Sequence, residues 1–378
     1  MIKNIAFILG SIDMSIGGVS RVTWTLSRYF EDNGYNCFFI FSGYDTHLIP
    51  EEKKFRLNFE SLNQQSYIER LCGFIKKNDI SLIIDQDFNS DTLLPSLQII
   101  KKETGIKFIF CYHRNPLYND FIRNISSRKI IIYNWIRKIV HKDDINKPGF
   151  VQIKDICDKY VVLSESYIHT FFLRYRMDKK NMLAIANPLP LNFEPISFDD
   201  KEKMVFIVSR FQEKIKNIKS IIRIWKNIEN KGYNGWKLVI GGYGRDEEEL
   251  KRYANEINLK SYSFVGRLID PTIYYKKAQI TLMASLCEGF GMTLIEGMQF
   301  GCVAMAFNYY TAIKDIINNN VNGYIIPPKR EKLFSKKLIQ LMTDDSLRRS
   351  MAINAIKDSQ KFSVDCIGEK WINVFKHL

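Results

Sequence analysis

Two glutamates set eight positions apart, Glu288 and Glu296, bracket a glycine-rich turn in the stretch Ala284-Ser-Leu-Cys-Glu-Gly-Phe-Gly-Met-Thr-Leu-Ile-Glu-Gly297. The run from Ala278 to Ala284 is apolar and bounded like a buried strand, whereas Met292 onward has helical spacing. Gly289, Phe290, Gly291, Met292 and Thr293 therefore fall where a strand hands over to a helix, and the first amides of such a helix lack intrahelical partners. Those amides suit phosphate or sugar oxygens, the glycines let a ligand approach the backbone, and the two carboxylates can accept hydrogen bonds from hydroxyls. The pattern fits a ligand that carries both phosphate and sugar.

A second group of residues has matching chemistry. In Ser209-Arg-Phe-Gln-Glu-Lys-Ile-Lys-Asn217, Arg210 lies just past the strand Met204 to Val208, with Lys214 and Lys216 on the following loop. A planar guanidinium holds two phosphate oxygens and an ammonium adds a point charge, so three cations here suit a diphosphate. Taken alone, the loop also reads as solvated basic surface. Gly242 and Gly244, in Ile240-Gly-Gly-Tyr-Gly244, mark a tight turn between another strand and an acidic helix start at Asp246 to Glu249.

Gly17 and Gly18, in Ser15-Ile-Gly-Gly-Val-Ser-Arg21, sit between the first strand and first helix, where they can turn amides toward a ligand. The full Gly-x-Gly-x-x-Gly of a dinucleotide site is missing, which argues against a nicotinamide enzyme. His113 ends the strand Phe108 to Tyr112; a lone histidine also reads as structural. The other four histidines show no metal-binding pairing, so metal-independent chemistry with no cofactor is expected.

These residues must be held by an α/β frame. Strand-like runs at Asn4 to Leu9, Cys37 to Phe41, Leu82 to Ile84, Lys107 to Tyr112 and Lys159 to Leu163 alternate with helical patterns such as Val19 to Phe30. That alternation predicts parallel strands joined by crossovers in a doubly wound sheet, with ligands at strand carboxyl ends. Three prolines in Asn187-Pro-Leu-Pro-Leu-Asn-Phe-Glu-Pro195 predict an interdomain linker. The rhythm then restarts with strands Met204 to Val208, Trp236 to Ile240 and Ser261 to Val265, a helix from Ile218 to Asn230, a helix from Gly323 onward and a final amphipathic segment from Val364 to Phe375.

Glu288-Gly-Phe-Gly-Met-Thr-Leu-Ile-Glu296 resembles the signature of the family 4 retaining glycosyltransferases, also called glycosyl transferases group 1. The resemblance implies the GT-B fold, two Rossmann-like doubly wound domains facing across a cleft. Residues 1–190 would be the acceptor-side domain, 191–360 the nucleotide-sugar domain, and 361–378 a C-terminal helix crossing back to the first. It implies transfer of a sugar from a nucleoside-diphosphate donor to an acceptor hydroxyl with retention. Glu296 would bind the ribose, Glu288 and the amides after it the donor sugar, and Arg210 with a lysine the diphosphate. Lys216, followed by Asn217 as the family's lysine is followed by Gly or Asn, fits that role at a spacing one longer than usual; Lys214 remains the alternative. Gly242, Gly244, Gly17 and Gly18 match the family's glycine turns, and His113 its histidine beside the reacting carbon. Domain closure about the linker would exclude water. Phe307 to Ile317 departs from the pattern, having no glycine near Thr311 or Ala312.

Bulk properties agree. The 378 residues, 46% hydrophobic, exceed what one core usually holds. No run approaches the roughly 20 apolar residues of a membrane span, and the first residues do not form a signal peptide, so a cytoplasmic protein is expected. Seven scattered cysteines, with no Cys-x-x-Cys, read as reduced core residues. The net charge of +14 favours anionic partners, but neither half has the patterned basicity of a nucleic-acid binder. From Phe121 to Lys142 six basic residues and no acid interleave with isoleucines and aromatics. Arg128, Lys129, Trp135, Arg137 and Lys138 are accordingly expected to face an anionic membrane surface, placing the enzyme on the inner face of the cell membrane with a lipid-linked or surface-polysaccharide glycan as acceptor. The Asn, Lys and Ile usage suits a bacterial pathway. A sugar-nucleotide epimerase or a glycan phosphorylase of the same architecture is the enzymatic alternative; a non-enzymatic binder of anionic ligands is the alternative of another class.

Overall fold

A strand of a parallel sheet covered on both faces has no solvent side, so it needs apolar side chains at successive positions. Ile5 to Leu9 supply that, each no more than 1% exposed. The structure, a computed structural model, describes residues 2–14, 17–58, 61, 64–86, 90–118, 121, 152–153, 156–189, 197–233 and 235–378. They divide into two compact units, Met1–Pro190 with Ser363–Leu378, and Leu191–Phe362.

In the first unit, β1 (Asn4–Leu9), β2 (Asn36–Phe41), β3 (Lys54–Arg56), β4 (Leu82–Asp85), β5 (Lys107–Tyr112), β6 (Lys159–Val162) and β7 (Met182–Ala184) form a seven-stranded sheet in the order β3-β2-β1-β4-β5-β6-β7. All described pairings are parallel, and the direction of winding reverses between β1 and β4. Helix Gly18–Asp32 covers one face, and Phe30 on it stacks at 6.2 Å on Phe7 of β1. Helix Val364–Lys376 packs on the same helix, with Ile367, Trp371 and Phe375 buried in that core.

In the second unit, β8 (Met204–Arg210), β9 (Lys237–Tyr243), β10 (Tyr262–Gly266), β11 (Ile280–Met283), β12 (Val303–Phe307) and β13 (Gly323–Ile326) form a six-stranded sheet in the order β10-β9-β8-β11-β12-β13. Here the winding reverses between β8 and β11. Helix Ile218–Asn230 places Ile218, Ile221, Ile222, Trp225 and Ile228 on its buried face, three and four apart as a helix packing on a sheet requires. Its first amides, Ile218 and Lys219, are capped by the half-buried Glu213 carboxylate at 2.7 and 3.2 Å. Trp225 is 1% exposed and its indole N–H donates to Ser261 O at 3.0 Å.

Several expectations need correction. Gly323 begins strand β13, paired with Ala304 of β12, and the helix starts only at Glu331, because Pro327 and Pro328 separate the two. Strand β8 runs on to Arg210, which pairs with Tyr243 and so ends the strand rather than following it. All seven cysteines are free, but Cys366 is exposed on the last helix and is no core residue. The segment containing Arg128, Lys129, Trp135, Arg137 and Lys138 and most of the proline linker lie outside the described residues. Among the described residues no helix is long and apolar enough to cross a membrane.

Candidate functional site

Side chains that follow β8 and β11 meet at the winding reversal of the second sheet, where neighbouring crossovers leave on opposite faces and open a crevice at the carboxyl ends. After β8 the chain makes a short turn of helix, Glu213–Lys216, and reverses at Asn217 in the left-handed region with φ 52°. Asn217 Nδ2 donates to Ala284 O at 3.2 Å, and the Leu286 amide donates to Ile215 O at 2.8 Å. The two loops are thus stitched by backbone contacts as well as side chains. Lys216 Nζ then donates to Glu288 Oε1 at 2.6 Å, the two side chains being 20% and 16% exposed.

Gly291, at φ 119°, caps helix Met292–Gln299, and a Cβ there would lie 2.7 Å from the Tyr310 hydroxyl. The opening amides of that helix face no intrahelical acceptor. Met292, Thr293 and Gly289 are half-buried, while Phe290 is 3% exposed and packs edge-on against Phe362, so its backbone rather than its ring is left to meet a ligand. One turn on, Glu296 accepts from the buried Tyr275 hydroxyl at 3.3 Å, a hydroxyl that also lies 3.0 Å from Thr293 O. Glu288 and Glu296 therefore flank the start of one helix, as their spacing predicts.

Arg210 is exposed at the end of β8 and makes no ion pair among the described residues. Lys214 is exposed on the outer side of the short helix, whereas Lys216 points to Glu288. Gly242, at φ 137°, lies so close to this loop that a Cβ would stand 1.8 Å from Ser209 O, and a Cβ at Gly244 would stand 2.4 Å from Phe211 O. These glycines do more than turn the chain: they let β9 press against the segment bearing Arg210. Sequence reasoning missed Tyr275, Glu213 and the bond from Asn217 to Ala284. A carboxylate five residues before Ile218 was the available signal.

In the first unit Gly17, Gly18 and His113 also lie at strand carboxyl ends, after β1 and β5. Gly17 has φ −175°, and a Cβ at either glycine would meet nothing within 4 Å. Neither glycine is required by the chain's own packing, which corrects the conformational argument for them. His113 Nε2 lies 2.5 Å from Gln86 Oε1, at the carboxyl end of β4. Burial lowers the His113 pKa to about 4, outweighing the nearby Asn187 amide, and the positive charge of Arg114 acts in the same direction as burial. The ring is neutral near pH 7. Gln86 was also missed; a polar Asp85-Gln86 pair closing the apolar run Leu82 to Ile84 was the signal. Among the described residues no group of three or more His, Cys, Asp or Glu side chains is arranged to hold a metal.

With this geometry in place, similarity to known proteins is informative. Residues 190–358 match the family model "Glycosyl transferases group 1". An uncharacterized glycosyltransferase of Haemophilus influenzae is 23% identical over 370 residues, covering 98% of this chain and 99% of that protein. The GalNAc-alpha-(1->4)-GalNAc-alpha-(1->3)-diNAcBac-PP-undecaprenol alpha-1,4-N-acetyl-D-galactosaminyltransferase of Campylobacter jejuni is 28% identical over 231 residues, 59% of this chain and 61% of that protein. The crystal structure of Anabaena HepE in complex with UDP and glucose superposes over the whole of both chains with a TM-score of 0.74 at 16% identity, which establishes the shared fold. Two parallel doubly wound sheets give this chain the GT-B fold of the solved glycosyltransferases, and its residues 190–358 carry the match to the group 1 glycosyltransferase model.

Proposed function

We propose that the protein transfers a sugar from a nucleoside-diphosphate donor to a hydroxyl of a lipid-linked or surface-polysaccharide glycan, with retention at the anomeric carbon and without a metal or other cofactor. The observation that carries this reading is the Lys216–Glu288 pair beside the head of helix Met292–Gln299, with Arg210 exposed at the end of the adjoining strand. Cleaving the sugar–phosphate bond leaves negative charge on the diphosphate. Arg210, as a fork of donors, and Lys216, as a point charge, would stabilise that charge where it develops. Glu288 orients Lys216 and, with the helix-head amides, takes donor-sugar hydroxyls. Glu296, steadied by Tyr275, takes the ribose hydroxyls. His113 would meet a substrate hydroxyl as a neutral ring.

The donor class is supported by the UDP and glucose bound to HepE, and the acceptor class by the undecaprenol-linked glycan named for the Campylobacter relative. Docking of residues 128–138 on the inner face of the cell membrane belongs to the same reading. A thermal-shift series with UDP, GDP, ADP and their sugars, on the wild type and on Glu296→Ala, tests the donor assignment. A nucleotide at about 100 times its Kd should stabilise the wild type by about 2.7 kcal/mol and leave the variant unmoved. If no nucleotide shifts the wild type, the donor assignment fails.

A further inference from the structure

At the winding reversal of the first sheet, the Gln86 amide is pinned to β1 by a 2.9 Å hydrogen bond to Ile8 O, and its side chain is buried, 3% exposed. Its Oε1 lies 2.5 Å from His113 Nε2. An amide oxygen only accepts, so the ring nitrogen facing it must carry the hydrogen. Two buried atoms then have no partner within hydrogen-bonding distance among the described residues, His113 Nδ1 and Gln86 Nε2, with the Asn187 side chain the other polar group acting on the ring. Buried polar groups are ordinarily satisfied by protein, water or ligand, and here one orphan is a neutral acceptor and the other a neutral donor. A hydroxyl, both donor and acceptor, matches such a pair; a carboxylate or phosphate, which cannot donate when ionised, does not match Nδ1.

We propose that Gln86 is a positioning residue that holds the His113 proton on Nε2, keeping Nδ1 as a bare acceptor for a substrate hydroxyl. Gln86 acts through His113, and its role rests on the glycosyl-transfer reading above. A protonated ring would lose that acceptor. So would the other tautomer, with its hydrogen on Nδ1. Besides Gln86, the polar and charged groups acting on the ring among the described residues are Asn187 and Arg114.

The test combines 15N NMR of histidine side chains in the full-length protein with steady-state kinetics on the sugar nucleotide selected by turnover. His113 is assigned by loss of its signals in His113→Gln. In the wild type near pH 7 the ring should show a protonated Nε2 and an unprotonated Nδ1. Gln86→Leu should mix the tautomers and lower kcat about tenfold, with donor KM within about twofold, the loss of one oriented hydrogen bond. Gln86→Glu, which keeps an acceptor in place, should restore the Nε2–H tautomer. A wild-type ring protonated on Nδ1, or a tautomer and kcat both unchanged in Gln86→Leu, overturns the role of Gln86. Failure of the wild type to turn over any sugar nucleotide overturns the underlying reading instead, and the NMR result separates the two. Should Gln86→Leu not fold, Gln86→Glu decides: its carboxylate should raise the His113 pKa while Nε2 stays protonated, and an Nδ1–H ring there overturns the proposal.

Discussion

Lys216 Nζ donates to Glu288 Oε1 at 2.6 Å across 72 positions of sequence, joining the loop after β8 to the loop after β11 at the point where the sheet reverses its winding. Both side chains are more than three-quarters buried, so the pairing offsets part of the hydration each loses. Removing one leaves the other charge partly buried and misdirected.

Lys216→Ala should therefore lower kcat about 100-fold for sugar transfer, the scale seen when one preorganised donor to a developing charge is deleted. Lys214→Ala, at an exposed position, should change kcat by less than about twofold. Steady-state rates of the two variants, with circular dichroism to confirm folding, decide between the lysines. Equal losses would show that the diphosphate is held by the loop's general charge.

Gly242→Ala places a methyl 1.8 Å from Ser209 O at φ 137°, a clash between backbone segments that no side-chain rotation relieves. A loss of about 3 kcal/mol or more is expected in denaturant unfolding. Gly17→Ala, with nothing within 4 Å and an extended φ of −175°, should leave stability within about 0.5 kcal/mol. A raised donor or acceptor KM in Gly17→Ala would then report a ligand approaching that backbone.

His113 should make the protein acid-sensitive in a definite window. Its pKa falls from 6.5 to about 4 on folding, so below about pH 6.5 the unfolded chain binds a proton that the folded ring refuses. Unfolding free energy should decline as pH drops through that window and level off below about pH 4, with a total contribution on the order of 3 kcal/mol. Urea unfolding of wild type and His113→Gln at several pH values gives the difference; parallel curves for the two proteins would show that His113 titrates normally.

Tyr275 is fully buried with its hydroxyl between Thr293 O and Glu296 Oε2. Tyr275→Phe keeps the ring and removes that hydroxyl, which should cost about 1 kcal/mol of stability. Because Glu296 loses a group that steadies it, nucleotide affinity measured by calorimetry should weaken as well. Unchanged affinity would separate Glu296 from nucleotide binding.

Much of the frame was legible in the residue order because parallel strands and covering helices write their burial locally. The helix Ile218–Asn230, the helix start at Met292 and strands β1 and β5 coincide with their apolar patterns. Gly323–Ile326 was misread because four apolar residues before two prolines look alike as strand or helix; only pairing with β12 makes them a strand. Residue identity and spacing alone determined which side chains are candidates for the chemistry: Glu288 and Glu296 about one helix head, cations at and after the end of β8, and His113 after β5. Tertiary structure alone decided what those side chains face. It turned Lys216 rather than Lys214 to Glu288, buried the Phe290 ring, set Gln86 against His113 and made Gly242 a spacer under Arg210. The physical reason is separation along the chain: these contacts join residues brought together by strand order, and no local pattern encodes which strand lies beside which.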